Sequence, residues 1–143
     1  MNILPQKYLN VIKNVLEKAL NTKINEIFDS LLNESTITNY LTIMEKTSEI
    51  TDDISKNILI TTFKAIDEMF MGSKYRKENF ESHEKLERTI TTIFGDITYK
   101  RRIYRDKNKK AGDDDYHVIY VDRYIGLPKR DRFDPYICSL VVG

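Results

Sequence analysis

One cysteine, no tryptophan, three prolines and five glycines in 143 residues exclude several kinds of protein at once. Cys138 alone cannot form an internal disulfide, and together with His83 and His117 it offers too few ligands at the wrong spacing for a Cys/His zinc site. A reducing, cytoplasmic compartment is therefore expected, with Cys138 a buried structural thiol in its apolar segment. The glycines, at 72, 95, 112, 126 and 143, stand singly, so there is no Gly-rich loop to cradle phosphates. The first seven residues lack the basic flank and unbroken apolar stretch of a signal peptide, and no apolar run is long enough to span a membrane. Neither histidine has the neighbours of a catalytic triad, so no nucleophile, cofactor or small-molecule substrate is assigned.

What remains is a folded, charged chain: 41% apolar and 31% charged, long enough to bury a core without staples. The net charge of +1 conceals an asymmetry. Residues 1–73 hold seven basic and ten acidic side chains, 74–110 hold twelve and six, and 111–143 hold four and six. A local basic block attracts polyanions even in a near-neutral chain, because salt screens its field within about 10 Å. Nucleic acid becomes a candidate partner.

The first third is helical by period. Tyr8, Ile12, Val15, Leu16 and Ala19 form one stripe, and Leu20, Ile24, Ile27, Phe28 and Leu31 a second, rotated one that predicts a bend near Asn21-Thr22. Ser35 or Thr36 is expected to cap a short helix carrying Ile37, Tyr40, Leu41 and Met44. Thr51, followed by Asp52 and Asp53, reads as the cap of a further helix. Its apolar positions, Ile54, Ile58, Leu59, Phe63, Ala65, Ile66, Met69 and Phe70, predict packing on the earlier helices as a bundle.

From Arg88 the period becomes two. Arg88–Ile93, a turn at Phe94-Gly95-Asp96 and Ile97–Tyr104 predict a hairpin. Ile97, Tyr99, Arg101 and Ile103 then share one face, while Thr98, Lys100, Arg102 and Tyr104 share the other, basic one. A loop from Lys107 to Asp115 leads to Val118–Val121, expected as a third strand, and Asp134-Pro135 opens a final helix. Glu78, Glu81, Glu84 and Glu87 read as a solvent-facing edge or linker. Asp113-Asp114-Asp115 lacks the spacing of a calcium loop and reads as a solvated screen for the neighbouring lysines. The expected fold is α+β: a helical region over 1–77, a small antiparallel sheet of about three strands over 78–127, and the start of a further helical region over 128–143.

Ser73–Lys77, Phe94–Tyr104 and Tyr120–Leu127 occur in this order, and as a set the chain resembles the ISLre-type insertion-sequence transposases over roughly residues 70–137. By that resemblance Gly95 is the turn glycine, Arg101 and Tyr104 match the hairpin's Arg and Tyr, and Asp122, Tyr124 and Gly126 match the segment after it. Phe80 stands where members commonly have Trp. The resemblance implies a non-catalytic N-terminal part of a longer transposase. The acidic residues that bind divalent metal for strand transfer are then expected in a missing downstream region.

Lys100, Arg101, Arg102, Tyr104, Arg105, Lys107, Lys109 and Lys110 form the expected DNA-binding surface, since cationic forks and amines beside tyrosines are what phosphate contact requires. The alternative is an edge strand that carries Lys and Arg to discourage sheet-to-sheet pairing. Two further readings stand beside the DNA one: self-association through the helical apolar faces, and a remnant of an interrupted element with no function.

Overall fold

The structure, a computed structural model, describes residues 6–32, 39–128, 132 and 134–142. Its elements are α1 (Gln6–Leu31), α2 (Tyr40–Gly72), α3 (Lys74–Asn79), β1 (Phe80–Thr92), β2 (Gly95–Asp106), β3 (His117–Val118), α4 (Tyr120–Ile125) and α5 (Pro135–Val142). The arrangement is α+β, helices followed by a three-stranded antiparallel sheet and short helices, as the sequence leads one to expect. The chain divides into two compact units within α2, between Thr61 and Thr62.

In the unit formed by residues 4–61 the helices are longer than the sequence suggests. α1 runs unbroken through Asn21-Thr22, where Thr22 folds its hydroxyl back onto the Lys18 carbonyl at 3.2 Å. The rotated second stripe therefore does not mark a bend. Thr51 caps nothing, because its hydroxyl donates to the Thr47 carbonyl at 2.7 Å inside α2. A threonine satisfies itself this way in mid-helix, so a Thr-Asp-Asp run does not distinguish a cap from an interior turn. The N-terminal cap of α2 is Asn39, whose side-chain oxygen accepts from the Leu41 N–H at 2.8 Å. The expected cap at Ser35 or Thr36 lies outside the described residues. Among the described residues of this unit only Ile12 is buried, while Leu9, Val11, Val15, Ile24, Leu41 and Met44 are exposed.

The other unit, from Thr62 onward, holds the core. Ile66, Phe70, Ile90, Ile97, Tyr99, Tyr104, Val118 and Val121 are buried. The last turns of α2 are spent on the sheet: Phe63 meets Tyr99 edge-on at 5.1 Å, and Phe70 meets Tyr104 edge-on at 4.9 Å. Phe70 also stacks on Tyr120 at 3.7 Å between ring centres and lies 5.9 Å from Phe80. Ser73 interrupts the helix and restarts it as α3, its hydroxyl accepting from the Arg76 N–H at 3.1 Å.

Thr92 pairs with Gly95 across a two-residue turn that leaves Gly95 at φ +116°, a region open to glycine. From that turn the register runs to Phe80↔Asp106, with one irregularity between Ser82 and Glu84. Glu81, Glu84 and Glu87 are thus strand residues rather than a linker, on the exposed end of β1. The third strand is shorter than expected: only His117 and Val118 pair with β2, and Tyr120–Ile125 is helical. A short apolar run such as Val118–Val121 serves strand or helix equally, and the left-handed Gly126 (φ 76°) decides for helix. The N–H groups of Gly126 and Leu127 close on the carbonyls of Arg123 and Asp122, at 3.2 and 2.9 Å.

Phe70 joins α2, β2 and α4, so Phe70→Ala is expected to lower unfolding free energy by about 3–5 kcal/mol. Leu41→Ala, on an exposed position, should change it by less than about 0.5 kcal/mol. Urea titration of both variants checks the contrast, and equal effects would contradict this account of the core.

Candidate nucleic-acid interface

The basic run on β2 is divided by the fold into buried and exposed members. Asp122, in the first turn of α4, is buried and accepts three side-chain hydrogen bonds. Its Oδ1 takes the Tyr99 hydroxyl at 2.7 Å, and its Oδ2 takes Arg88 Nη1 at 3.0 Å and Arg101 Nε at 3.2 Å. Arg101 Nη1 also donates to the Leu86 and Glu87 carbonyls, at 3.2 and 2.9 Å, and Arg88 Nη2 donates to the Pro128 carbonyl. Burial, reinforced by the bond to Asp122, pushes the Tyr99 hydroxyl well above its ordinary pKa and keeps it a donor. Arg101 is therefore in a buried ion pair and not on the exposed surface.

Arg102 is also withdrawn from the expected surface. Its backbone N–H, on the edge of β2 away from β1, donates to Asp67 Oδ1 at 3.1 Å, and its guanidinium reaches Asp67 Oδ2 at 2.8 Å and Glu68 at 3.1 Å. A helix carboxylate thus satisfies a backbone donor that a bare edge strand would expose. Tyr104 is fully buried among Phe70 and Phe80, its hydroxyl without a hydrogen-bond partner among the described residues and pushed up by burial. The simple division of β2 into an apolar and a basic face fails here because α2 and α4 between them cover residues of both parities.

Lys100, Lys107, Lys109 and Lys110 are exposed and Arg105 is half-buried. Lys100 faces Glu87 and Arg105 faces Glu81 across the hairpin, so the strand positions are partly neutralised. The loop after β2 is different, because tertiary structure adds to it. Lys107 Nζ donates to the Lys77 carbonyl at 2.7 Å, the Lys107 N–H to the Asn79 carbonyl at 2.8 Å, and Asn108 to the Asn79 side chain at 3.2 Å. The end of α3 and the β2–β3 loop are tied together, and exposed Lys77 lies beside Lys107. In the sequence the two lysines stand 30 residues apart. Arg88 and Tyr99 were legible only as strand residues.

Of the motif residues, Gly95 and Gly126 are the two glycines that end β-turn and helix in positive φ, and Tyr124 stacks on Tyr120 at 5.7 Å. An open pocket of about 620 Å³, walled by Ile103, Val118, Ile119 and Leu127, lies beside Asp122. Both Asp122 oxygens already accept hydrogen bonds, so this carboxylate is not positioned for acid/base work. Among the described residues no group of three His, Cys, Asp or Glu side chains converges as metal ligands. No described helix is long and apolar enough to cross a membrane.

Asp122→Asn leaves two buried guanidiniums without their counter-charge and should cost about 3–5 kcal/mol by denaturant titration. A second outcome concerns pH. Burial raises the Asp67 carboxyl above its ordinary range, outweighing the Arg102 N–H and guanidinium that pull it down. The folded state then holds the Asp67 proton to higher pH than the unfolded chain, so this residue's contribution falls as pH rises from the ordinary carboxylate value to the raised one. The stability difference between wild type and Asp67→Asn, followed from pH 3 to about 7, should shrink with rising pH; growth would contradict the assignment.

Residues 36–142 match the uncharacterised protein family UPF0236. Two proteins of Caldanaerobacter subterraneus subsp. tengcongensis are among the chain's relatives. UPF0236 protein TTE1650/TTE2708 is 27% identical over 137 residues, 90% of this chain and 26% of that protein. UPF0236 protein TTE0402 is 28% identical over 122 residues, 84% of this chain and 23% of that protein. No solved structure matches the chain. This chain spans about a quarter of the length of those relatives and belongs to the UPF0236 family.

Proposed function

We propose that this chain is the N-terminal, non-catalytic part of an insertion-sequence transposase and that it holds element DNA by its phosphates. The observation that carries the reading is the patch at the end of the sheet, where the Lys107 ammonium is held on the backbone carbonyl of exposed Lys77 and Lys109 and Lys110 follow on an exposed loop. Lys100 and Arg105 extend it along β2. The ordered motifs resembling ISLre-type transposases support the same reading. Strand transfer and its divalent metal then belong to the part of the longer family polypeptides that this chain does not cover. Contacts of this kind position a protein on the duplex without reading sequence.

Purified chain should bind duplex DNA with affinity that falls steeply between about 50 and 200 mM salt. Lys77→Glu/Lys107→Glu should flatten the logarithmic salt slope by about two, one for each phosphate that the variant no longer neutralises. Arg101→Gln should instead lower stability and leave the slope unchanged. Wild-type affinity in the double variant would sink the assignment of the patch.

A second reading rests on α1 and α2. Leu9, Val11, Val15 and Ile24 are 42–50% exposed and Leu41 67%, more apolar surface than one helical unit ordinarily leaves in water. Self-association through these helices would cover it and would serve assembly of a transposition complex. Light scattering over a concentration series should show a dimer that Val15→Lys/Ile24→Lys dissociates; a monomer at all concentrations removes this reading.

A further inference from the structure

The chain has two histidines, His83 and His117, far apart in sequence and side by side in the fold. Glu81, Arg105 and His117 stand in register on the three strands, Glu81 opposite Arg105 and Arg105 opposite His117. The register of β1 slips at the next position, between Ser82 and Glu84, and the bulged residue is His83. A bulge re-aims a side chain. Here it delivers the His83 ring to Arg105, whose Nη2 lies 2.6 Å from His83 Nδ1, while the two imidazole rings are 6.2 Å apart. Both rings are on the exposed part of the sheet.

A guanidinium only donates, so the contact with Arg105, 2.6 Å from His83 Nδ1 and 3.2 Å from Nε2, is a hydrogen bond only where a ring nitrogen is free to accept. The other charged or titratable groups facing the cluster are Glu84, 3.6 Å from His83 Nε2, and Tyr116, whose ring meets His117 edge-on at 4.9 Å. Arg123, across the pocket rim from His117, is paired with Asp115 at 3.2 Å. With both imidazoles neutral, Arg105 is outnumbered by Glu81 and Glu84. With both protonated, three cations face two acids and His83 can no longer accept from Arg105, which is freed to donate elsewhere. Imidazole is the side chain that ordinarily changes charge between about pH 8 and 5.

We propose that His83, Arg105 and His117 form a phosphate-binding subsite that opens when the two imidazoles take up protons. The proposal rests on the DNA-contact reading and extends it. Arg105 precedes Asp106 and Lys107 in the chain, so a phosphate held here continues the Lys77–Lys107 patch along the same nucleic-acid backbone. Guanidinium and imidazolium groups converging from three strands suit a phosphate oxygen, which accepts several charge-assisted hydrogen bonds at once.

The test is duplex DNA affinity of the intact chain at pH 8 and pH 6, for wild type and for His83→Gln/His117→Gln. The variant keeps an acceptor for Arg105 and gains no charge. Wild type should bind about tenfold more tightly at pH 6 and the variant less than about twofold, with circular dichroism showing both folded. Inorganic phosphate, titrated at pH 6, should also shift the imidazole proton resonances of wild type. DNA binding that is sensitive to Lys77→Glu/Lys107→Glu yet equally pH-dependent in both proteins overturns the subsite and leaves the patch intact. Imidazole shifts with inorganic phosphate but no DNA binding at either pH keep the subsite and overturn the DNA reading. The absence of both a pH-dependent difference and a phosphate shift overturns the subsite outright.

Discussion

The Asp122 carboxylate is out of water, and two guanidiniums and a phenol surround it there. Those partners come from both strands of the hairpin, and Asp122 itself sits on a helix of six residues, too short to hold its place by backbone hydrogen bonds alone. The four-residue cluster is therefore what attaches α4 to the sheet. Val121 beside it is fully buried, and Tyr120 carries the stack back to Phe70 on α2. Every element of the second unit from Thr62 to Ile125 packs around a sheet whose face this ion cluster defines.

The same cluster decides how the basic residues are used. A chain with twelve basic side chains over 74–110 resembles a polyanion-binding surface on paper. In the fold, Arg88, Arg101 and Arg102 neutralise Asp122, Asp67 and Glu68, and Glu81 and Glu87 stand opposite Arg105 and Lys100. The guanidiniums go inside, where their planar forks can hold a carboxylate and backbone carbonyls together, and the lysines stay outside, where a flexible ammonium keeps its hydration. What is left for a partner is smaller than the run in the sequence and better defined: lysines on a loop braced against α3.

The two units also divide in character. One is built of long helices with apolar side chains in solvent; the other is a sheet whose polar interior, among the described residues, is nearly all satisfied, Tyr104 hydroxyl apart.

Much of the fold was legible in the residues. The change of apolar period near Arg88, the turn at Gly95 and the proline after Asp134 locate hairpin and final helix, because period and turn chemistry are local properties. Helix ends were less legible, since Thr22 and Thr51 bond their own helix carbonyls and carry no external sign of doing so. Which face of β2 meets water, and which arginines do, was decided by tertiary structure alone: Arg101 and Lys100 are neighbours of one sign, yet one is sealed against Asp122 and the other solvated. Lys77 with Lys107, and His83 with His117, are likewise pairs that no spacing announces. Local sequence determines the backbone's preferred conformation, whereas the company a charge keeps depends on residues some thirty positions away, which only the folded chain brings within a few ångströms.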